Sequence, residues 1–151
     1  MVKETAVVAS AVVSAPMSEV WVAVGDTARY PEWVENTLRV IRTDGPAESG
    51  STMEELTRIA GPWKAVTRWR VTEFDPPTHQ VHLGDGVAMA RNMRLEIDLT
   101  PVGDSGTRVS LTVRYTPKFG PMGALINLAI RRSIARSQQR SIDAFASMVG
   151  R

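Results

Sequence analysis

The chain has 151 residues, of which 43% are hydrophobic and 23% charged, and its formal net charge is +2. These values describe an ordinary globular chain long enough to bury a real core, and they exclude a disordered one. With no cysteine in the sequence, disulfides and thiolate chemistry are excluded as well, which suits a reducing compartment.

The small positive surplus is local. Arg131, Arg132, Arg136, Arg140 and Arg151 crowd the last stretch, opposed only by Asp143. Such a patch can attract nucleic acid or acidic lipid, but a solvated helix face is the expected reading and nucleic acid is not the expected partner. The opening run from Ala6 to Ala15, behind Lys3, has a signal-peptide flavour. Glu4, Ser10 and Ser14 interrupt it, and its valines favour a strand. No apolar run approaches the ~20 residues that cross a bilayer, so a cytoplasmic location is expected.

In chain order, Thr5 to Ser14 is Val- and Ala-rich on both faces and is expected to be a strand covered on both sides. Ala15-Pro16 stops it, and Ser18 to Val24 forms a short helix ended by Gly25. Asp26 to Trp33 makes a second short helical turn, with Tyr30 and Trp33 on one side. Strands are then expected at Thr37–Thr43, Thr52–Ala60, Trp63–Phe74 and His79–Gly84, separated by Gly/Pro-rich turns. On the Trp63–Phe74 strand, Arg68 and Arg70 share the face expected to be wet. His79 and His82 fall on opposite faces of their strand, so no metal site is expected there.

Two strands alternate cleanly. Met89, Arg91, Met93, Leu95, Ile97 and Leu99 share a face against Asn92, Arg94, Glu96 and Asp98. Val109, Leu111, Val113 and Tyr115 oppose Arg108, Ser110, Thr112 and Arg114. Period-two alternation of this kind marks antiparallel strands with one buried face. After Pro117 the period becomes helical: Pro121 to about Val149 carries Met122, Ile126, Ile130, Ile134, Ser137, Ser141, Phe145 and Met148 along one stripe. The apolar face of the sheet is the natural partner for that stripe. The expected architecture is α+β and one domain over residues 1–151. It comprises one strand, two short helices, about six more strands and a long C-terminal helix.

Three stretches carry a family resemblance: Ala15-Pro16-Met17-Ser18-Glu19-Val20-Trp21, Asp26-Thr27-Ala28-Arg29-Tyr30-Pro31-Glu32-Trp33, and Val71-Thr72-Glu73-Phe74-Asp75-Pro76-Pro77. With the closing helix, they resemble the SRPBCC superfamily of START and birch-pollen-allergen-like domains, in particular its actinobacterial polyketide cyclase/dehydrase branch. The resemblance implies a helix-grip fold: a curved antiparallel sheet of about seven strands wrapped around the C-terminal helix, with a ligand cavity between them. Gly84-Asp85-Gly86-Val87 and Phe119-Gly120-Pro121-Met122-Gly123 also resemble a mycobacterial subgroup described as the toxin of a toxin–antitoxin pair, which implies a protein partner.

For a small hydrophobic ligand, lipid- or polyketide-like, the sequence offers Trp69, Met89, Met93, Val113 and Tyr115 as sheet walls, and Met122, Ile126 and Ile130 from the helix. Arg91 is placed to pair with an anionic ligand group, or to reach solvent at the strand end. Trp33 is a lid over the mouth or a plug in the core. No triad, phosphate loop or paired-carboxylate motif stands out, and no cofactor or metal is expected. The alternative is an enzyme, a cofactor-free cyclase, aromatase or dehydratase, with Arg91, Tyr115 and Glu73 as its candidate groups.

Overall fold

The computed structural model describes residues 4–85, 90–117 and 123–150. Its elements are β1 (Thr5–Val13), α1 (Met17–Val24), a 3-10 turn (Thr27–Arg29), α2 (Tyr30–Trp33), β2 (Thr37–Thr43), β3 (Thr52–Ala60), β4 (Trp63–Asp75), β5 (His79–Asp85), β6 (Ala90–Val102), β7 (Gly106–Pro117) and α3 (Gly123–Val149). The element order and most boundaries match the sequence reading. Pro16, in extended conformation, marks the entry to α1, where its missing N–H costs no hydrogen bond.

The strands form one curved sheet in the order β1-β7-β6-β5-β4-β3-β2, every neighbouring pair antiparallel. The long helix α3 lies on the inner face, mainly against β1, with lesser contact on β7 and α2. This is the helix-grip arrangement. The alternation on β6 and β7 reports the inner face directly: Met93, Ile97, Leu99, Val109, Leu111, Val113 and Tyr115 are all buried. Arg68 and Arg70 face outward and are exposed, as their strand pattern implied.

One expectation fails on β1. Its inner positions Val7, Ala9 and Val13 are buried, but Val8 and Val12 are 64% and 48% exposed. The strand is covered on one side only, because nothing in the described chain packs on the outer face of this edge. Small and β-branched residues on both faces reflect β-propensity as well as burial, which is why composition overstated the cover.

Two apolar clusters fill the interior. The larger joins Val13, Ala15, Val20 and Val24 to Tyr30, Trp33, Leu99, Leu111, Ile142 and Phe145. The smaller is built on Val7, Met93, Val113 and Tyr115, with Trp69, Leu95, Ile130, Ile134 and Ala135 packed partly against it. Among the described residues, no helix is long and apolar enough to cross a membrane.

Candidate functional site

The smaller cluster lies between the middle of the sheet and the N-terminal half of α3, and two backbone features shape it. On β6, Arg91 pairs with Thr116 but Arg94 pairs with Arg114, so one extra residue is accommodated between them. Asn92 sits in this bulge at φ 55, a left-handed conformation that asparagine tolerates better than most residues. The bulge resets the register just ahead of Met93, so the alternation read from Met93 to Leu99 does not run back through Arg91. On β5, Gly84 is opposite Trp69, and a Cβ at Gly84 would meet the Trp69 ring at 2.7 Å. Only glycine leaves room for the indole there.

Trp69 is held from its other side. Its Nε1–H donates to Glu55 Oε1 at 2.9 Å. Thr37 donates to the other oxygen of the same carboxylate at 2.9 Å, while Thr67 and Thr57 approach Oε1 at 3.3 and 3.4 Å. Glu55 is 6% exposed. Burial pushes its carboxyl above the usual range, and the four donors oppose that shift without cancelling it. The buried Tyr30 hydroxyl is also pushed up, first by burial and then by the Glu55 charge. A carboxylate surrounded by this many donors is positioned for structure, since its lone pairs are already engaged.

A second polar pair lies further along the same wall. His82 is 2% exposed, and burial lowers its pKa to about 4, so the ring is neutral near pH 7. Its Nε2 is 2.7 Å from Gln80 Oε1, an acceptor, which assigns the ring proton to Nε2. Gln80 Nε2 and Trp33 Nε1 are buried donors with no partner among the described residues. The inner wall carries a void of about 10 Å³ lined by Thr27, Ser51, Thr52, Met53, Trp69, Val71 and His82, room for about one water molecule.

The helix side is joined to the sheet by one polar chain. Tyr115 Oη–H donates to Asn127 Oδ1 at 2.9 Å, and Asn127 Nδ2 donates to Thr5 Oγ1 at 3.1 Å. Burial raises the Tyr115 pKa. The C-terminal half of α3 is held instead by Asn36 donating to Ser137 and by the Glu35 N–H donating to Ser141.

The structure brings Trp69, Met93, Val113, Tyr115 and Ile130 together in the smaller cluster. Ile126 lies at its rim and is 37% exposed. Trp33 is 5% exposed, with its ring 4.9 Å from Phe145 and 5.6 Å from Tyr30, so it plugs the larger core and does not act as a lid. Met89 and Met122 lie outside the described residues, as does the side chain of Arg91. The grouping of Arg91, Tyr115 and Glu73 as an acid–base set does not hold. Glu73 is on the outer face, paired with Arg94 at 3.1 Å and facing His79 at 3.5 Å, while Tyr115 is buried on the inner face. His79 and His82 do lie on opposite faces. The outward His79 is held 2.6 Å from Asp98, whose hydrogen bond raises its pKa.

Sequence reasoning missed Glu55, Thr37, Gln80 and His82. A signal was present in β3 and β4, where Met53, Glu55 and Thr57 share one face and Thr67, Trp69 and Val71 another. Their cross-strand pairing makes the two faces one.

A wider depression of about 290 Å³ is lined by Arg42, Thr52, Arg68, Arg70, Leu83 and Asp85 together with Met53, Trp69 and Gly84. Strand alternation places its charged members on the outer face, where Arg42 is paired with Asp44 and Arg68 with Glu54. It is an open hollow that mixes these charged side chains with the apolar Met53, Trp69 and Leu83.

A family model described as polyketide cyclase / dehydrase and lipid transport matches residues 4–150. A Mycobacterium tuberculosis protein named Toxin Rv0910 is 28% identical over 135 residues, 87% of this chain and 91% of that protein. Among solved structures, the Zhui aromatase/cyclase of Streptomyces sp. R1128 superposes with a TM-score of 0.81 at 16% identity, covering 97% of this chain and 94% of that one. A START superfamily protein of Mycobacterium smegmatis superposes with a TM-score of 0.66 at 16% identity, covering 91% and 97%.

Proposed function

Because the chain belongs to the polyketide cyclase/dehydrase and lipid transport family, we propose that it binds a small hydrophobic molecule, lipid- or polyketide-like, between the sheet and the N-terminal half of α3. The observation that carries this reading is the smaller apolar cluster, a second group of buried residues joined to the main core through Trp69 and Leu95. Trp69, Met93, Val113, Tyr115 and Ile130 line the proposed seat, with Ile126 at its rim, while Trp33 stays with the larger core. Met89 and Met122 belong to the proposed lining by sequence alone, and with the alternation broken at Asn92 no anionic anchor is assigned to Arg91. Residues 1–151 act as one ligand-binding unit.

Among the described residues the proposed seat is occupied by its own side chains, so a ligand enters by displacing the N-terminal half of α3 from the sheet. That half is the weakly seated one: on its sheet-facing stripe Ile126 is 37% exposed, and Ile130 and Ile134 are only half-buried. Met93 adapts to irregular apolar shapes, and Tyr115 supplies a hydroxyl once its bond to Asn127 is exchanged.

The test uses cis-parinaric acid, whose polyene accepts energy from a nearby tryptophan, with native mass spectrometry as an independent readout. Binding is expected to quench tryptophan emission in the wild type. Trp69→Phe should lose most of the transfer while keeping the adduct, and Ile130→Glu should lose both. No transfer and no adduct in the wild type would refute the proposal.

A further inference from the structure

The outward side of α3 carries an arrangement that ligand binding does not use. Leu125 and Leu128 are 79% and 44% exposed. Arg132 and Arg136 follow on the same stripe at helical spacings of four, and Arg131 lies between it and the sheet-facing side, where its charge also acts on the Tyr115 hydroxyl. All three arginines are exposed, and among the described residues none has a carboxylate within ion-pair distance. Arg140, one turn on, is already paired with Glu35 at 3.1 Å. Asp143, the helix's sole acidic residue, accepts a hydrogen bond from Gln139 beyond the basic stretch.

Exposed leucines followed by unpaired arginines on one helix face give a surface with an apolar tip and a cationic band. At 1.5 Å per residue the stripe from Leu125 to Arg136 spans roughly 16 Å, enough to set the leucines below a headgroup layer with the arginines level with it. We propose that this face of α3 docks the protein on an anionic lipid surface. Charge complementarity selects that occupant. A second copy of the chain would bring three unpaired arginines against three more, and nucleic acid would leave the two leucines without a partner. The proposal stands independently of the interior site, since it needs only the outward face.

The experiment is co-sedimentation of the full chain with vesicles of phosphatidylcholine alone or mixed with phosphatidylglycerol. Wild-type protein should pellet with the mixed vesicles, stay in solution with pure phosphatidylcholine, and be released by salt. Joint replacement R131Q/R132Q/R136Q should weaken binding on the order of a hundredfold, taking about a fivefold loss per cation near an anionic surface. The matching lysine variant should retain binding. L125S/L128S should weaken binding without changing its salt dependence. Circular dichroism of each variant monitors folding, and an arginine variant that fails to fold is replaced by R132Q/R136Q. Equal binding to both vesicle types would overturn the proposal. So would unchanged binding by the glutamine variant, or a wild-type dimer in size-exclusion chromatography that the leucine substitutions dissolve.

Discussion

The two ends of α3 face the same sheet but meet it differently. Toward the C-terminus, Ile142 and Phe145 are fully buried, and Ser137 and Ser141 accept hydrogen bonds from the Glu35–Asn36 turn. Toward the N-terminus, Ile130 and Ile134 are only half-buried, and the Tyr115–Asn127–Thr5 chain is the main polar tie. One end holds the fold, while the other can part from the sheet at modest cost. A domain that admits a ligand needs this asymmetry, because displacing a fully packed end would cost most of its stability.

The largest effect should separate the two ends outright. Ile142→Asp puts an unpaired charge where no water reaches, a cost of several kcal/mol that a domain of this size does not survive. It should show no cooperative thermal unfolding transition. Ile130→Asp, at a half-buried position beside the helix rim, should still fold with a lowered melting temperature. If both variants fail to fold, the N-terminal half of α3 is as firmly seated as the C-terminal half, and the asymmetry is wrong.

The polar wall beneath Trp69 sharpens the contrast through pH. The His82 pKa is about 4 when folded, against about 6.5 in an unfolded chain, so the folded state binds fewer protons between these values. Its stability contribution is present above pH 6.5 and is lost as the pH falls toward 4. Glu55 works in the opposite sense. Its raised folded pKa means the folded state holds a proton that the unfolded one releases, so stability rises as Glu55 protonates. The partly buried His79, raised by its hydrogen bond to Asp98, acts in the same direction as Glu55. Urea unfolding at about pH 7 and about pH 4.5 should show the Glu55→Gln variant losing more stability on acidification than the wild type. His82→Gln should lose less by about 2–3 kcal/mol, from a shift of about two units over that interval. Equal losses in all three proteins would mean that neither group is buried as described.

How much of this was legible in the sequence depended on whether one strand's own pattern was enough. β6 and β7 alternate without interruption from Met93 to Leu99 and from Val109 to Tyr115, so their faces could be read residue by residue. The stripe of α3 was legible for the same reason, at a period of 3.6. The buried row was not, because Glu55 looks like a surface residue until Thr37, Thr67 and Trp69 arrive from neighbouring strands to satisfy it, and His82, bonded to Gln80 of its own strand, is buried only once β4 and β6 flank it. Polar burial depends on cross-strand register, which no single segment contains. Arg91 shows the same limit locally: a one-residue bulge at Asn92 shifts a register that strict alternation carried straight through.

Gly84 tests the loose end at its sheet wall. Gly84→Ala places a methyl group 2.7 Å from the Trp69 ring, so the indole must move and its bond to Glu55 must lengthen or break. The expected cost is about 1–3 kcal/mol in urea unfolding, with a change in tryptophan emission as the indole loses its partner. An unchanged emission spectrum would place the Trp69 ring elsewhere.

The smallest predicted effect is also informative. Leu125 is 79% exposed, so Leu125→Ser should change stability by no more than about 0.5 kcal/mol in either direction. A leucine that costs nothing to remove from the folded chain is free to serve a surface contact. A loss of more than about 1 kcal/mol would show that Leu125 packs against the protein itself. In that case the N-terminal half of α3 would no longer present an open apolar tip, and the difference between its two ends would narrow to the polar ties alone.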